Sequence, residues 1–239
     1  MTRVIELGEC TSGRLSTAAS SATTLLVPVG STEQHGPHLP LDTDTRIASA
    51  VAAAAARELE LPLAPPIAYG ASGEHQGFPG TISIGTPTLT AVLREYGRSA
   101  CEWTPRVVFV NGHGGNVDAL RAAVVLLREE GRDVAWCTPA VWRSHRPDAH
   151  AGHIETSVLL HLSPDLVRTA ELRSGNTAPL AELMPRLRSG GVRAVSESGV
   201  LGDPTAASAS HGARLFAEMV EDCVNRVRRW RPQDEGMLS

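Results

Sequence analysis

Sixteen consecutive residues, GSTEQHGPHLPLDTDT at 30–45, carry Glu33, His35, His38, Asp42 and Asp44. Two prolines and two glycines in the same stretch exclude a regular helix or strand over its whole length. The result is a stiff, irregular loop crowded with groups that can hold a cation. Two further clusters have the same character: NGHGGN at 111–116, with His113 among three glycines, and DAHAGHIETS at 148–157, with His150, His153 and Glu155. Imidazole and carboxylate donors without thiolate suit zinc, manganese or iron(II). A carboxylate shared between two such ions holds them about 3.5–4 Å apart, and a pair of this kind acidifies water and polarises carbonyls. The chemistry these residue types point to is metal-assisted hydrolysis.

For the clusters to meet, the chain must deliver them to one place. TTLLVPVG (23–30) is an apolar, β-forming run that reads as a buried strand ending at Gly30, just before the first cluster. TRIASAVAAAAARELE predicts a helix from near Asp44 to a point before Pro62, and LPLAPPIAYG an extended, proline-marked segment. GTPTLTAVLREYGRSACEW offers Thr86 as N-cap and Pro87 at the first helical position. RVVFVNG (106–112) is a strand running into the second cluster. The helix predicted after it sets Leu120, Val124 and Leu127 at i, i+4 and i+7 and meets Gly131 at its end. DVAWCTPAV reads as a strand, ETSVLLHL as a short helix, and 206–230 as a long helix with Phe216, Val220, Cys223 and Val227 on one stripe. Strands alternating with helices predict a mostly parallel sheet covered on both faces, with the functional loops at the carboxyl ends of the strands. Glu33 and His35, two apart, point to one side in extended backbone. The prolines and Gly36 then let Asp44 fold back into the same place.

Composition narrows the function classes. The chain is 42% hydrophobic and 20% charged with a net charge of -4, a soluble globular profile with no basic field for nucleic acid. No apolar run approaches the ~20 residues of a membrane span, and MTRVIELGEC does not read as a signal peptide, so a cytoplasmic protein is expected. Cys10, Cys101, Cys137 and Cys223 are scattered singly, against a disulfide framework or a zinc knuckle. All 22 basic residues are arginine, which excludes a Schiff-base lysine and a P-loop.

The stretches GSTEQHGPHLPLDTD, GTISIG, NGHGGN and HAGHIETS follow the order of the successive motifs of the creatininase (creatinine amidohydrolase) family, which the chain resembles over most of its length. The resemblance implies a three-layer αβα fold with a mostly parallel sheet in a single domain spanning 1–239; the terminal stretch ending in QDEGMLS, about 231–239, reads by itself as a frayed tail. It implies a di-metal amidohydrolase with two divalent ions per subunit, Zn²⁺ and/or Fe²⁺ with Mn²⁺ also suited, and a homo-oligomer. Within the family, YGASGEHQGFPGTISIG, ETSVLLHLSPDLVR and SESGVLGDP are most similar to peptidases that trim a modified precursor peptide in the biosynthesis of a peptide-derived redox cofactor. That likeness implies cleavage near the C-terminus of the peptide, releasing a Val-Tyr-derived fragment. Carried over by position, Glu33 and His113 hold one metal, His35 the other, and Asp44 bridges them. The family's creatininases have a glutamate two residues after the motif histidine, where this chain has Gly115. Glu155 is the expected replacement ligand. His150 aligns with the catalytic histidine, which would take the proton of the attacking water and return it to the leaving amine, with backbone N–H groups of Gly114 to Asn116 near the oxyanion.

Other residues have plainer readings beside the functional ones. His38 reads as a hydrogen-bonded loop anchor, and Asp42 as a helix cap or as the orienter of a ligand histidine. His75 and His153 are candidate substrate contacts, though Glu74 and His75 could equally close a turn and His153 could be solvated. Trp142 is a core residue or an aromatic near the pocket. Three competing functions stay open: the same site acting on a small cyclic amide or a formamide, a metal-stabilised scaffold that binds a peptide without cutting it, and a serine hydrolase using Ser72. The last lacks the second glycine of a nucleophile elbow.

Overall fold

Alternation of side chains along three apolar runs decides the architecture. The computed structural model describes residues 5–19, 24–139 and 148–239. Strands β1 (Leu25–Val29), β2 (Arg106–Asn111) and β3 (Asp133–Cys137) form a parallel sheet in that order, with Leu25 paired to Val107 and Val107 to Val134. Leu26, Val108, Val110, Ala135 and Cys137 face one side; Leu25, Val27, Val107, Phe109 and Val134 face the other. A strand buried on both faces reads as a continuous apolar run, which is why these three were predictable. Fully burying each such side chain contributes on the order of 1.5–3 kcal/mol.

Seven helices are described: α1 (Ser12–Ala19), α2 (Thr43–Leu59), α3 (Thr86–Ala100), α4 (Val117–Glu129), α5 (His153–Leu162), α6 (Leu180–Gly190) and α7 (Ala209–Arg229). Residues of α2, α5 and α7 pack on the first face and residues of α3 and α4 on the second, giving the three-layer αβα arrangement of an α/β fold. The alanines of α2, among them Ala52, Ala55 and Ala56, are fully buried and let that helix lie close to the sheet. The proline-marked segment runs beside β1, bridging Leu63 to Leu26 and Ile67 to Val29.

Three local expectations differ from the structure. The N-cap of α3 is Gly85, so Thr86 is the first helical residue and Pro87 the second. Helices α1 and α6 have no counterpart in the sequence reading. Residues 231–239 are not frayed: Met237 bridges to Trp136, the Leu238 N–H donates to the Trp136 carbonyl at 2.8 Å, and the Leu238 side chain is fully buried. Strand β3 is an open sheet edge, and the apolar Met237–Leu238 pair covers it.

Candidate metal centre

The carboxyl ends of β1 and β2 open toward the N-terminal turns of α2 and α5, and the polar clusters converge between them. The loop after β1 carries Glu33 and His35; Asp44 sits in the first turn of α2, where a helix N-terminus favours negative charge. The turn after β2 carries His113. Its neighbour Gly112 allows the approach, since a Cβ there would lie 2.5 Å from the Asp44 carbonyl oxygen. Asn111 and Asn116 clamp this turn rather than face the cluster. Asn111 Nδ2 donates to the His113 carbonyl at 2.7 Å, and Asn116 Nδ2 to the Gly30 carbonyl at 3.0 Å. The Asn116 N–H is taken by the His113 carbonyl, so it is not a free oxyanion donor as the sequence reading had it. Glu155 lies in the first turn of α5, held by the Ala151 N–H at 2.5 Å. Ala151 has φ +52, a conformation that non-glycine residues adopt rarely and mostly at functional sites.

Among the described residues, three sets of donor atoms lie close enough to hold a metal ion: Glu33, Asp44 and His113; His35, Asp44 and Glu155; and Glu33, His35 and His150. Asp44 belongs to the first two. Its Oδ1 is 3.1 Å from His35 Nε2 and its Oδ2 is 3.2 Å from His113 Nδ1. His35 Nδ1 is 3.1 Å from the Glu33 carbonyl and donates its hydrogen there, so Nε2, turned toward Asp44, is the nitrogen that would give up a proton to a cation. Both carboxylate oxygens of Glu33 are fully buried without a hydrogen bond, the nearest basic atoms being His75 Nε2 and His113 Nδ1, each 3.3 Å away. A buried carboxylate in that condition is costly unless a cation compensates it. The donor chemistry and the Glu33 oxygens left without hydrogen bonds together fit divalent metal.

The electrostatics lead to the same requirement. Burial, reinforced by the Asp44 charge, pushes the Glu33 carboxyl up to about 7, and burial raises Glu155 to about 7 as well. Burial alone would lower His35, but the Asp44 carboxylate outweighs it and lifts His35 to about 10. His113 is raised likewise, with burial opposed by Asp44 and Glu74. Asp44 would be raised by burial, yet His35 and His113 hold it well below the usual carboxylate range. Without metal, the cluster keeps protons where a cation would otherwise supply the positive charge. Burial lowers His75 to about 4 and His150 well below its ordinary value, so both are neutral.

Beside the cluster lies a cleft of about 440 Å³, lined by Glu74, His75, His113, His150 and Glu155 and by Leu180, Met184 and Leu187 of α6. His75 lines this cleft. His153 does not: it is buried, and its Nε2 is 2.6 Å from His211 Nδ1. Trp142 lies outside the described residues. His38 anchors its loop by a 2.9 Å hydrogen bond to Thr156 Oγ1. Asp42 neither caps α2 with its side chain nor touches a histidine; it pairs with Arg46 one turn on, at 2.7 Å.

Sequence reasoning missed Gln34, Ser31 and the α6 wall. Ser31 Oγ donates to Asp44 Oδ2 at 2.6 Å, and Gln34 contacts His75 and His150. The i, i+4, i+7 spacing of Leu180, Met184 and Leu187 was a signal, but such a stripe by itself reads as core.

Comparison with known proteins gives this geometry its setting. The creatininase family profile, described as creatinine amidohydrolase, matches residues 8–227. The "Mycofactocin precursor peptide peptidase" of Mycolicibacterium smegmatis is 63% identical over 239 residues, covering 98% of this chain and 94% of that protein. The manganese form of creatininase superimposes with a TM-score of 0.81 at 26% identity, covering 97% of this chain and 100% of the other. A mutant creatininase of the "Zn-Zn type" does so with a TM-score of 0.80 at 25% identity, over the same shares of each chain. The chain belongs to the creatininase family.

Proposed function

We propose that this protein is a metal-dependent amide hydrolase that cleaves a modified precursor peptide near its C-terminus, releasing a Val-Tyr-derived fragment for a peptide-derived redox cofactor. The structural observation behind the chemistry is Glu33, buried with neither oxygen hydrogen-bonded, in a cluster that shares Asp44. The substrate rests on the 63% identity to a mycofactocin precursor peptide peptidase. Two divalent ions would be held, one by Glu33, His113 and Asp44 and the other by His35, Asp44 and Glu155; zinc and iron(II) suit these donors, as does manganese. Divalent ions in such a site supply Lewis acidity, polarising a scissile carbonyl and lowering the pKa of water.

The chain's own groups complete the reaction. Asp44, Glu33 and Glu155 would offset much of the charge of two ions, and Asp44 presents one oxygen on the His35 side and the other on the His113 side. His150 is neutral, and its Nε2 is 2.7 Å from the Gln34 carbonyl, which accepts the Nε2 hydrogen and leaves the Nδ1 lone pair facing the cluster, 3.6 Å from Glu33 Oε1. That lone pair takes a proton from the attacking water and delivers it to the leaving amine nitrogen. Glu74 lies 3.4 Å from His113 Nε2, too long for a hydrogen bond but placed to orient that imidazole.

A cytoplasmic setting and a homo-oligomeric assembly belong to the same reading. The four cysteines are unpaired, which suits a reducing compartment, and Leu41, Tyr69 and Ile82 are exposed apolar side chains on loops flanking the site. Among the described residues no helix is long and apolar enough to cross a membrane. The test is incubation of the metal-loaded protein with the modified precursor peptide and mass analysis of both products. Two fragments that disappear with chelator and return with Zn²⁺ or Fe²⁺ are expected. An intact peptide alongside hydrolysis of creatinine or a formamide would leave an amidohydrolase with a different substrate.

A further inference from the structure

Gln34 sits between Glu33 and His35, yet its side chain turns away from the cluster and toward two other imidazoles. Its Nε2 is 2.8 Å from His75 Nδ1 and 3.2 Å from the Gly199 carbonyl oxygen, while its Oε1 accepts the Gly36 N–H at 2.9 Å. These partners fix which end of the amide is nitrogen, because a flipped amide would set oxygen against the Gly199 carbonyl and NH₂ against the Gly36 N–H. The same nitrogen is 3.1 Å from His150 Nε2, but that atom is nearer the Gln34 backbone carbonyl, at 2.7 Å, and gives its hydrogen there. The two amide hydrogens then go to the Gly199 carbonyl and to the nearer imidazole nitrogen, His75 Nδ1, which accepts. With Nδ1 accepting, the ring hydrogen of His75 is on Nε2, which faces Glu33 Oε1 at 3.3 Å, and His75 is part of the cleft wall. His150, whose ring centroid is 4.3 Å from that of His75, is turned the other way. Its Nε2–H is spent on the Gln34 backbone carbonyl, and it offers the Nδ1 lone pair.

We infer that Gln34 is a positioning residue that locks His75 with its Nε2–H toward the cleft, so that a hydrogen-bond donor stands beside the His150 proton acceptor. The inference rests on the reading of this site as an amide hydrolase. During turnover the attacking water loses a proton to His150 Nδ1, and that proton passes to the leaving nitrogen as the C–N bond breaks. His75 keeps its own proton and donates a hydrogen bond to the carbonyl oxygen as negative charge develops on it. If the His75 proton were on Nδ1, the Nε2 lone pair would face the same carboxylate as the Nδ1 lone pair of His150, and His75 would have no hydrogen to offer on that side.

The experiment is ¹⁵N NMR of the histidine side chains in the metal-free and zinc-loaded protein, paired with kinetics. Wild-type His75, assigned by comparison with His75→Gln, is expected to carry its hydrogen on Nε2. In Gln34→Glu the new carboxylate can only accept, so the His75 hydrogen is expected to move to Nδ1. With it, kcat should fall about 100-fold, the scale for losing one donor to a developing oxyanion, while zinc content and KM stay within about twofold. His75→Gln, which keeps an N–H donor, should retain more kcat than His75→Ala. A wild-type hydrogen on Nδ1 overturns the inference, even if Gln34→Glu fails to fold. So does a shifted tautomer in Gln34→Glu with unchanged kcat. If wild-type protein turns over no amide, the functional reading fails and the role given to His75 in turnover fails with it, while the spectra still decide whether Gln34 sets the tautomer.

Discussion

Glu74 reaches into the space that a side chain on residue 115 would fill: a Cβ built on Gly115 would lie 2.6 Å from Glu74 Oε1. The same Cβ would lie 2.5 Å from the Ala71 carbonyl oxygen and 2.5 Å from His113 Nε2. A glutamate at this position therefore cannot be introduced by substitution alone, because the Ala71 backbone blocks it. Gly115→Ala is expected to cost about 1–3 kcal/mol through overpacking and to weaken zinc binding by displacing His113. Glu74→Ala should leave stability nearly intact while lowering zinc affinity about 10- to 100-fold, as loss of a ligand's orienting partner does. Thermal melts and zinc titration separate the two. A Gly115→Ala protein as stable as wild type would mean that the crowding is relieved at no cost.

Asp44 is the only residue common to the sets containing His113 and Glu155. Asp44→Ala is expected to abolish binding of both ions, whereas loss of a terminal ligand abolishes one. Elemental analysis of the folded variant decides the point, with folding checked by circular dichroism. Two ions per chain in that variant would remove Asp44 from the bridging position.

Glu155 and His150 can be told apart by the same measurement. Glu155→Gln should lose one ion and most activity. His150→Ala should keep both ions and lose about 10²- to 10⁴-fold in kcat, the range for a general base. The reverse pattern, with the ion lost in His150→Ala, would make the set of Glu33, His35 and His150 the second site.

Much of this site was legible because donor types and strand ends are local features. Glu33, His35, Asp44, His113, His150 and Glu155 each stand at or near the end of an element that reads clearly from its apolar pattern. What was not legible depends on contacts remote in sequence. Gln34 meets His75 and Gly199, 41 and 165 residues away, and His153 meets His211 at a separation of 58. Helix α6 contains Pro185 and buries only Leu183, so its pattern was weak. The C-terminal pair gains its place only because β3 leaves an edge to cover.

Metal uptake should depend on pH in a defined direction, because ions displace ligand protons. Glu33 and Glu155, raised to about 7, hold protons at about pH 6 and have shed most of them by about pH 8.5. His35, raised to about 10, holds its proton at both. Zinc binding should therefore release more protons per chain at pH 6 than at pH 8.5, and apparent affinity should rise across that window. Calorimetry in buffers of different ionisation enthalpy counts the protons directly. Equal release at the two pH values would show that the carboxylates are already ionised before metal arrives.

The α6 wall carries the last expectation. Leu180, Met184 and Leu187 line the same cleft as the donor side chains, so an apolar group next to the scissile amide would meet them. Leu180 is 46% exposed, which makes Leu180→Asp tolerable to the fold. Losing part of one leucine contact and placing a charge opposite an apolar group should weaken binding by about 1–2 kcal/mol, or roughly 5- to 30-fold in KM. Because the substitution lies away from the donor cluster, kcat and metal content should stay near wild type. Steady-state kinetics on the precursor peptide read the two parameters separately. An unchanged KM would place the apolar part of the substrate elsewhere, while a loss confined to kcat would mean that α6 acts on the chemistry and not on recognition.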